Sequence, residues 1–181
     1  MTTVDTSCVN RDIAWWLVGY RKDARYSLAE LTVSSLGNPF DVSRPVDAGI
    51  TEREIYTRAG VVIQRTVFGP PVKADEIAVL GGTIGGATYT TANGVPGMTP
   101  GSRTFAVLRH DRDAGWLLVN SYLREGDRVI LNGGCQTPAA GQHATPFTDT
   151  IPVLKGGVAG AERSPHAVSI PVQEFLAPVG G

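Results

Sequence analysis

The stretch that decides the fold is residues 76–122, EIAVLGGTIGGATYTTANGVPGMTPGSRTFAVLRHDRDAGWLLVNSY. It contains three short apolar runs, at 77–80, 103–108 and 116–119, that are rich in β-branched or aromatic residues. Glycine, proline, asparagine and aspartate bound each run, as expected for antiparallel strands joined by turns. The stretch therefore predicts the centre of an all-β domain, built as a single antiparallel barrel or a sandwich.

Alternate residues of a strand lie on the same face of a sheet. We therefore expect Phe105, Val107, Trp116 and Leu118 to point into one core. Outward from this centre, residues 55–68 form the longest predicted strand, which Gly60 interrupts with a bulge. Residues 127–131 form one more strand.

Two segments near the N-terminus require separate interpretation. Residues 12–20, DIAWWLVGY, are too short and too uniformly apolar for an amphipathic helix and are predicted to form a buried or edge strand. Neighbouring strand residues face opposite sides, so core packing of Trp15 and Trp16 is favoured over a carbohydrate or aromatic-cage site. Ser27 and Glu30 fit the capping-box pattern, which predicts one short helix over 28–34.

The remaining segments are less regular. Residues 40–54 are polar and are predicted to be a surface excursion. Residues 133–163 are rich in Gly, Pro, Ala and Thr, and are predicted to be a long loop with one strand at 151–154. Residues 166–170 are a candidate last strand and 172–176 a terminal turn or short helix. Since a long irregular segment on a compact domain is usually functional or disordered, we expect 133–163 to make the main contact with a partner.

The composition bounds the function. The 181 residues show no compositional shift, so one domain is expected over 1–181, with its core at about 55–131. The formal net charge is -1 and the basic residues are scattered, so nucleic-acid binding is not expected. No apolar run approaches the roughly 18 to 20 residues of a membrane helix, so no membrane insertion is expected.

The N-terminus, MTTVD, lacks the basic start and apolar core of a signal peptide. The location therefore stays open between the cell surface or exterior, if a leader was removed, and alternatively a virion assembled in the cytoplasm. Cys8 and Cys135 are not in a metal-type spacing. An exported protein is expected to bridge them and a cytosolically assembled one to keep two thiols, and both hypotheses remain open.

The motif that most resembles a phosphate-binding loop is IAVLGGTIGG at 77–86, because such loops begin with a strand that leads into paired glycines. The residues that follow are β-branched rather than helix-forming, and no Gly-Lys-Ser/Thr is present. We therefore expect no nucleotide cofactor, and interpret the motif as a glycine-rich connection where backbones approach closely.

His110, Asp111 and Asp113 lie between two predicted strands, and a metal ion could use such a trio. The favoured interpretation is a solvated hairpin loop in which the aspartates stabilise the turn. No metal site is predicted.

His143 and His166 are isolated, without cysteine or carboxylate at ligand spacing, and are expected to be ordinary surface or loop histidines. Ser102 does not lie in a G-x-S-x-G nucleophile elbow. No catalytic residue is therefore predicted.

Several short motifs together resemble a known group of domains. They are Ile55-Tyr56-Thr57, Val67-Phe68-Gly69, GGTIGG at 81–86, PGSR at 100–103 with the run to 109, and GWLLV at 115–119. They resemble small, mostly exported bacterial β-barrel domains of the netrin and metalloproteinase-inhibitor type, which are oligosaccharide/oligonucleotide-binding (OB) barrels. SLAEL at 27–31 resembles the short helix that precedes their first barrel strand. The resemblance implies an OB-like binding or structural module without catalytic residues, although the inhibitors' N-terminal cysteine pattern is absent.

Two functions follow as hypotheses. The first is a non-catalytic binding module that presents loops from a β-barrel to a protein partner. The second is a structural subunit of a larger assembly, such as a capsid decoration or tail protein of a phage virion, for which a low-charge, Gly/Pro-rich β protein is typical. An enzyme is the weakest hypothesis, because no acid/base or nucleophile geometry is visible.

Overall fold

The computed structural model describes residues 11–91, 93–133 and 136–180, most of which lie in strands. The strands are β1 (Tyr26–Asp47), β2 (Ile50–Phe68), β3 (Glu76–Leu80), β4 (Gly82–Ile84), β5 (Ala87–Tyr89), β6 (Val95–Pro96), β7 (Arg103–Asp111), β8 (Gly115–Glu125), β9 (Arg128–Leu131), β10 (Thr145–Pro146), β11 (Ile151–Lys155), β12 (Val158–Glu162) and β13 (Val168–Pro171). The helices are α1 (Ile13–Lys22), α2 (Val172–Leu176) and a 3-10 helix (Ala177–Val179). The prediction of an all-β fold with antiparallel sheets is confirmed.

Five strands form a circuit of pairings. β1 pairs antiparallel with β2 and with β7, β2 pairs with β3, and β7 pairs with β8. One parallel pair, Ala78 opposite Leu117, joins β3 to β8 and completes the circuit. The sheet therefore curls into a barrel-like ring, β1-β2-β3-β8-β7, with a short seam between β3 and β8.

The inside of the ring is filled by alternate residues from all five strands. We call this cluster the inner core, and its main members are Ala29, Leu31, Val33, Ala59, Val61, Ile77, Val79, Ala106, Leu108 and Leu118. These side chains are buried. Their alternation along each strand is the pattern expected for a closed sheet with one face inward.

The opposite face of β1, β7 and β8 packs against a second cluster, the outer core. From the ring it takes Leu28, Phe68, Phe105, Val107 and Tyr122; from β9 and β13 it takes Val129, Leu131 and Ile170; from the helices it takes Ile13, Leu17, Phe175, Leu176 and Val179. β9 pairs with β8, and β13 pairs with β9, so these strands extend the ring's sheet beneath the helices. Residues 28–33 of β1 and much of β7 and β8 are consequently buried on both faces.

A β-bulge in β8 changes which residues face which core. Leu118 pairs with Leu108, but Asn120 pairs with Val107, so Val119 is the extra residue. The extra residue reverses the alternation of β8, as bulges do. Leu118 therefore points into the inner core, whereas Asn120, two residues later, lies on the outer face.

The prediction that Phe105, Val107, Trp116 and Leu118 share one core is thus wrong in part. All four contact hydrophobic clusters, but Phe105 and Val107 lie in the outer core while Leu118 and the partly buried Trp116 lie in or against the inner core. The physical reason is the strand register: Leu118 is opposite Leu108 and shares its face, which is not the face of Phe105 and Val107.

The predicted strand at 12–20 is wrong, since this segment forms α1. Asp12 caps the helix by accepting a hydrogen bond from the backbone N–H of Trp15 at 2.9 Å, an interaction worth about 1 kcal/mol. Ile13 and Leu17 lie one turn apart and are both buried in the outer core. Trp15 lies on the other side and is 50 % exposed, so its predicted core packing is also wrong, while Trp16 is partly buried.

The predicted helix at 28–34 is wrong too, because this segment belongs to β1. Leu28 packs in the outer core and Ala29 in the inner core, so successive residues face opposite sides as in a strand. Ser27 does not cap a helix; its hydroxyl donates to the carbonyl of Pro70 at 2.6 Å. Glu30, the other half of the expected capping box, is buried among arginines.

The predicted surface excursion at 40–54 is a paired hairpin, which we call the arm. Here β1 and β2 continue as partners to Asp47 and Ile50 at the tip. Val42 packs with Ala78 and Leu117, which lie on the outer face of the ring at the seam. The arm therefore folds against the ring instead of leaving it.

The predicted loop at 133–163 contains three strands, β10, β11 and β12, so its description as a loop is wrong. The strand predicted at 151–154 is confirmed as β11, and the strands predicted around 55–68, 77–80, 103–108, 116–119 and 127–131 are confirmed as well. The register irregularity predicted at Gly60 is present, with the extra residue in β1. Cys8 and Cys135 lie outside the described residues. Within the described ranges no helix has the length and apolarity needed to cross a membrane.

Replacing Leu118 by alanine should lower the free energy of unfolding by about 2–5 kcal/mol, because burial is lost and a cavity remains in the inner core. Val119→Ala is the matched control, since the bulge leaves Val119 exposed. Its expected effect is within about 0.5 kcal/mol. Urea denaturation measures both. Equal midpoints for the two variants would contradict the bulge register.

Candidate functional site

A β-hairpin within 133–163 is the first candidate surface. β11 and β12 pair from Ile151 opposite Glu162 to Lys155 opposite Val158, leaving a two-residue turn. The turn residues, Gly156 and Gly157, have φ of 58° and 79°. Positive φ at both positions is the type I′ geometry that matches the twist of a two-residue hairpin.

The turn of this hairpin lies against the glycine-rich connection of the ring. A Cβ on Gly157 would be 2.8 Å from the Thr57 hydroxyl and 3.1 Å from the Cα of Gly82. A Cβ on Gly81 would lie 3.5 Å from Gly156. The predicted close approach of backbones in 77–86 is therefore confirmed.

The same connection does not have the geometry of a phosphate-binding loop. Residues 87–89 form β5, which pairs antiparallel with β4. A phosphate loop instead continues into a helix whose N-terminal N–H groups point at the phosphate. Gly81 and Gly82 serve here for close packing against the hairpin turn, whereas a Cβ at Gly85 or Gly86 would meet open space.

β12 is the outer strand of the sheet β12-β11-β6, and all five of its residues are exposed. The direction of its backbone groups follows from its neighbour. The carbonyl of Pro152 accepts a hydrogen bond from the N–H of Gly97 at 2.9 Å, so it points away from β12. In an antiparallel pair the partner Ala161, and likewise Ala159, must then direct N–H and C=O away from β11.

This edge carries little of the protection that edge strands normally have. Charged side chains, prolines, bulges or a covering element usually block such edges. The central residues of β12 are Ala159, Gly160 and Ala161, and its one charge, Glu162, is engaged by Lys155 of the same hairpin at 3.6 Å. In the described ranges no other strand pairs with the outer edge of β12.

A second candidate surface is a cleft of about 390 Å³ between the arm and the outer face of β7 and β8. Tyr26, Arg109 and Val119 lie on its ring side, Arg44 and Glu54 on its arm side, and Tyr56 where the arm joins the ring. Aromatic and aliphatic walls with a few polar groups are typical of small-molecule sites.

The arm wall of this cleft is held by a network around Arg44. Its guanidinium donates to Glu54 at 3.2 Å and to Asp111, at the β7–β8 turn, at 3.0 Å. The hydroxyl of Tyr56 donates to the same Glu54 carboxylate at 2.5 Å. Burial is the main cause, and this hydrogen bond the second, of a rise in the pKa of Tyr56 to about 12.

Asp111 organises the turn that ends β7. Its carboxylate accepts from the backbone N–H groups of Asp113 and Ala114, each at 2.9 Å. Burial alone would raise the pKa of Asp111, but the hydrogen bonds from Arg44 and these N–H groups outweigh it and lower the pKa to about 2. The predicted role in the turn is confirmed, although Asp111 is buried rather than solvated.

The trio considered for a metal does not converge. The ring of His110 packs edge-on against Trp116 at 5.5 Å, whereas Asp111 faces Arg44. Among the described residues no group of three or more His, Cys, Asp or Glu side chains is placed to hold a metal ion.

The remaining sequence candidates are separate from both surfaces. His143 is not isolated: its Nδ1 lies 2.9 Å from a Glu174 oxygen, which also accepts from the backbone N–H of His143 at 2.7 Å. Glu174 is distant in sequence and the fold brings it here, while the His143 side chain is 87 % exposed, so the prediction of a surface histidine is confirmed. His166 is exposed, and the hydroxyl of Ser102 lies 3.0 Å from the Thr99 hydroxyl.

Comparison of the chain with models of protein families, with curated proteins and with solved structures finds no match. The two surfaces and the charges around them are therefore the features that bear on function.

The Asp111 carboxylate should make stability depend on acid pH. Because its pKa of about 2 lies below the ordinary 3.8, its contribution is present above about pH 4 and is lost as pH falls towards 2. Asp111→Asn should lower the free energy of unfolding at pH 7 by about 2 kcal/mol and reduce the loss between pH 4 and 2. Urea titrations at several pH values test this. The exposed Asp149→Asn serves as control, and the same change in both variants would refute the assignment.

Gly157→Ala should undock the hairpin, because the new methyl group would meet Thr57 and the backbone of Gly82. Gly86→Ala is the matched control: its φ is 82° against 79°, but a Cβ there meets open space. Both substitutions share the left-handed strain of about 1–2 kcal/mol. Only Gly157→Ala should also speed amide exchange of Val158 and Gly160. Equal effects of the two variants on stability and exchange would show that the turn does not pack on the ring.

Proposed function

We propose that this protein is a non-catalytic binding module that takes up an extended segment of a partner polypeptide as an additional strand beside β12. The observation that carries the proposal is the exposed edge of β12, where Ala159 and Ala161 direct their backbone groups outward. In strand addition, main-chain hydrogen bonds supply affinity and alternate side chains supply specificity. Within 133–163, we therefore expect the five residues of β12 to make the main contact with the partner.

The edge defines what the partner must offer. Two outward-facing residues provide up to four hydrogen bonds, and the small side chains of Ala159 and Ala161 allow a second strand to approach closely. Val158, 69 % exposed, lies on the other face and favours an apolar residue on the partner strand. At about 0.5–1.5 kcal/mol per hydrogen bond, the backbone alone contributes about 2–6 kcal/mol. This is less than the roughly 8 kcal/mol of a micromolar complex, so further side-chain contacts are required.

The ring supports the view that the scaffold is an OB-type barrel. OB-type barrels have five strands and are partly open, and here five strands pair in a circuit closed by one parallel pair. This architecture gives a rigid body from which a hairpin can be presented. The architecture therefore supports the proposal of a binding module, but it does not identify the ligand.

A second candidate function is a structural subunit of a larger assembly, such as a phage virion. The observation that favours it is the tip of the arm, where Val46 and Ile50 are 58 % and 59 % exposed. A paired arm with an apolar tip fits insertion into a neighbouring subunit. Self-assembly through the arm would not require the edge of β12.

Strand addition can be tested with Ala161→Pro and a library of displayed random heptapeptides. Proline removes the outward N–H of residue 161 without breaking a hydrogen bond to β11. Peptides selected on the native protein should show alternating apolar residues and should bind Ala161→Pro at least about tenfold more weakly, a difference of about 1.4 kcal/mol. Ala161→Ser keeps both the N–H and a small side chain and should retain binding.

Thermal melts of both variants check that the hairpin and the ring persist. Selected peptides that bind Ala161→Pro unchanged would refute strand addition at β12. The mass of the native protein in solution separates the two functions. A monomer agrees with the binding module, whereas an oligomer that Val46→Ser dissociates favours the assembly subunit.

A further inference from the structure

A buried carboxylate with three arginines lies on the outer face of the ring, apart from the β12 edge. Glu30 is 2 % exposed. Its Oε2 lies 2.9 Å from the Nε of Arg65, while its Oε1 lies 2.8 Å from Nη2 of Arg103 and also pairs with Nη1 of Arg124.

The strand register places these residues together. Glu30 is opposite Arg65 in the β1–β2 pair, and Arg103 is opposite Arg124 in the β7–β8 pair. Arg103 is also opposite Thr32, two positions along β1 from Glu30 and on the same face. Three strands thus bring one arginine each to a single carboxylate.

The charge of this cluster exceeds what Glu30 requires. A buried carboxylate is neutralised by one well-placed cation, yet here three cations surround it. Two of them share one oxygen atom, so their guanidinium groups are held close together despite their repulsion. Glu125 lines the neighbouring cavity of about 460 Å³, together with Arg103 and Arg124, and the local charge remains positive when it is counted.

The arginines also keep unused donors. The side chains of Arg65 and Arg103 are 48 % and 47 % exposed. In the part of the chain that the structure describes, both Nη atoms of Arg65 and the Nε and Nη1 atoms of Arg103 have no hydrogen-bond partner. Arg124 is more enclosed and also donates from Nε to the carbonyl of Gly126 at 2.8 Å. Fixed guanidinium groups with free donors match the geometry of oxyanions.

We infer that Arg65, Arg103 and Arg124 form a binding site for one oxyanion group, which is a phosphate or sulfate ester or a carboxylate of a partner molecule. Glu30 is the positioning residue, because it holds the three guanidinium groups on one side of the sheet. A bound anion would relieve the repulsion between Arg103 and Arg124. The inference rests on a different face and different residues from strand addition at β12.

The site can be tested with sodium phosphate and sodium sulfate, added at constant ionic strength against sodium chloride. NMR signals of the arginine Nε–H groups report binding residue by residue. We expect saturable shifts at Arg65 and Arg103, and affinity at least about tenfold weaker in Arg103→Gln and Arg65→Gln. Each variant leaves two arginines on Glu30, so the fold should persist, and a thermal melt checks this.

Arg58→Gln is the control, because Arg58 is similarly exposed but pairs with Glu76 elsewhere. N-acetylglutamate provides a carboxylate arm: saturation by it assigns the site to carboxylates as well, and saturation by phosphate or sulfate alone assigns it to esters. Shifts that sodium chloride produces equally at the same ionic strength overturn the inference. Equal affinities in Arg103→Gln, Arg65→Gln and Arg58→Gln overturn it too.

Discussion

Three strands of the ring, β7, β8 and the first part of β1 at residues 28–33, must bury side chains on both of their faces, and the rest of the structure depends on this constraint. The inner face carries small residues, Ala29, Ala59 and Ala106, which let the sheet curl tightly. The outer face carries Phe105 and Tyr122, whose burial contributes about 1.5–3 kcal/mol for a side chain of this size. The ring alone would leave these aromatic residues in water. The N-terminal helix and the C-terminal elements are therefore part of the fold's stability, because they complete the outer core.

The bulge at Val119 lets β8 supply large side chains to both cores while it stays paired with β7. Without it, Leu118 and Tyr122 would lie on the same face of β8, since they are four positions apart. With it, one is delivered to the inner core and the other to the outer core. The bulge also places Val119 at the cleft under the arm, so one extra residue shapes both the packing and the surface.

The central strands could be predicted from sequence because glycine, proline and charged turns mark both ends of each run. The N-terminal segments could not, since their local signals were ambiguous. DIAWWLVGY is apolar on nearly every side, which hides the stripe of Ile13 and Leu17, and the Asp12 cap was the overlooked signal. At Ser27 and Glu30 a capping-box pattern was overridden by pairing with two neighbouring strands, the kind of tertiary context that outweighs local propensity.

The candidate surfaces were harder to predict for physical reasons. VAGAE has neither alternation nor β-branched residues at its centre, so β12 exists because the turn and β11 impose it. Gly156-Gly157 directly after a predicted strand was the available hairpin signal. The arginine cluster had none, because Arg65, Arg103 and Arg124 are far apart in sequence and only the register joins them to Glu30.

The seam between β3 and β8 is the junction at which the ring should open locally most easily. Along this line the sheet is joined by the single Ala78–Leu117 pair, so local opening there breaks far less backbone bonding than opening at any other junction. The arm packs over this seam, and an ion pair joins Arg44 of the arm to Asp111 at the β7–β8 turn. The ion pair therefore helps to hold the two sides of the seam together. At this junction the ring is thus held by one backbone pair and a nearby ion pair, and protonation of Asp111 at acid pH would remove the contribution of the ion pair.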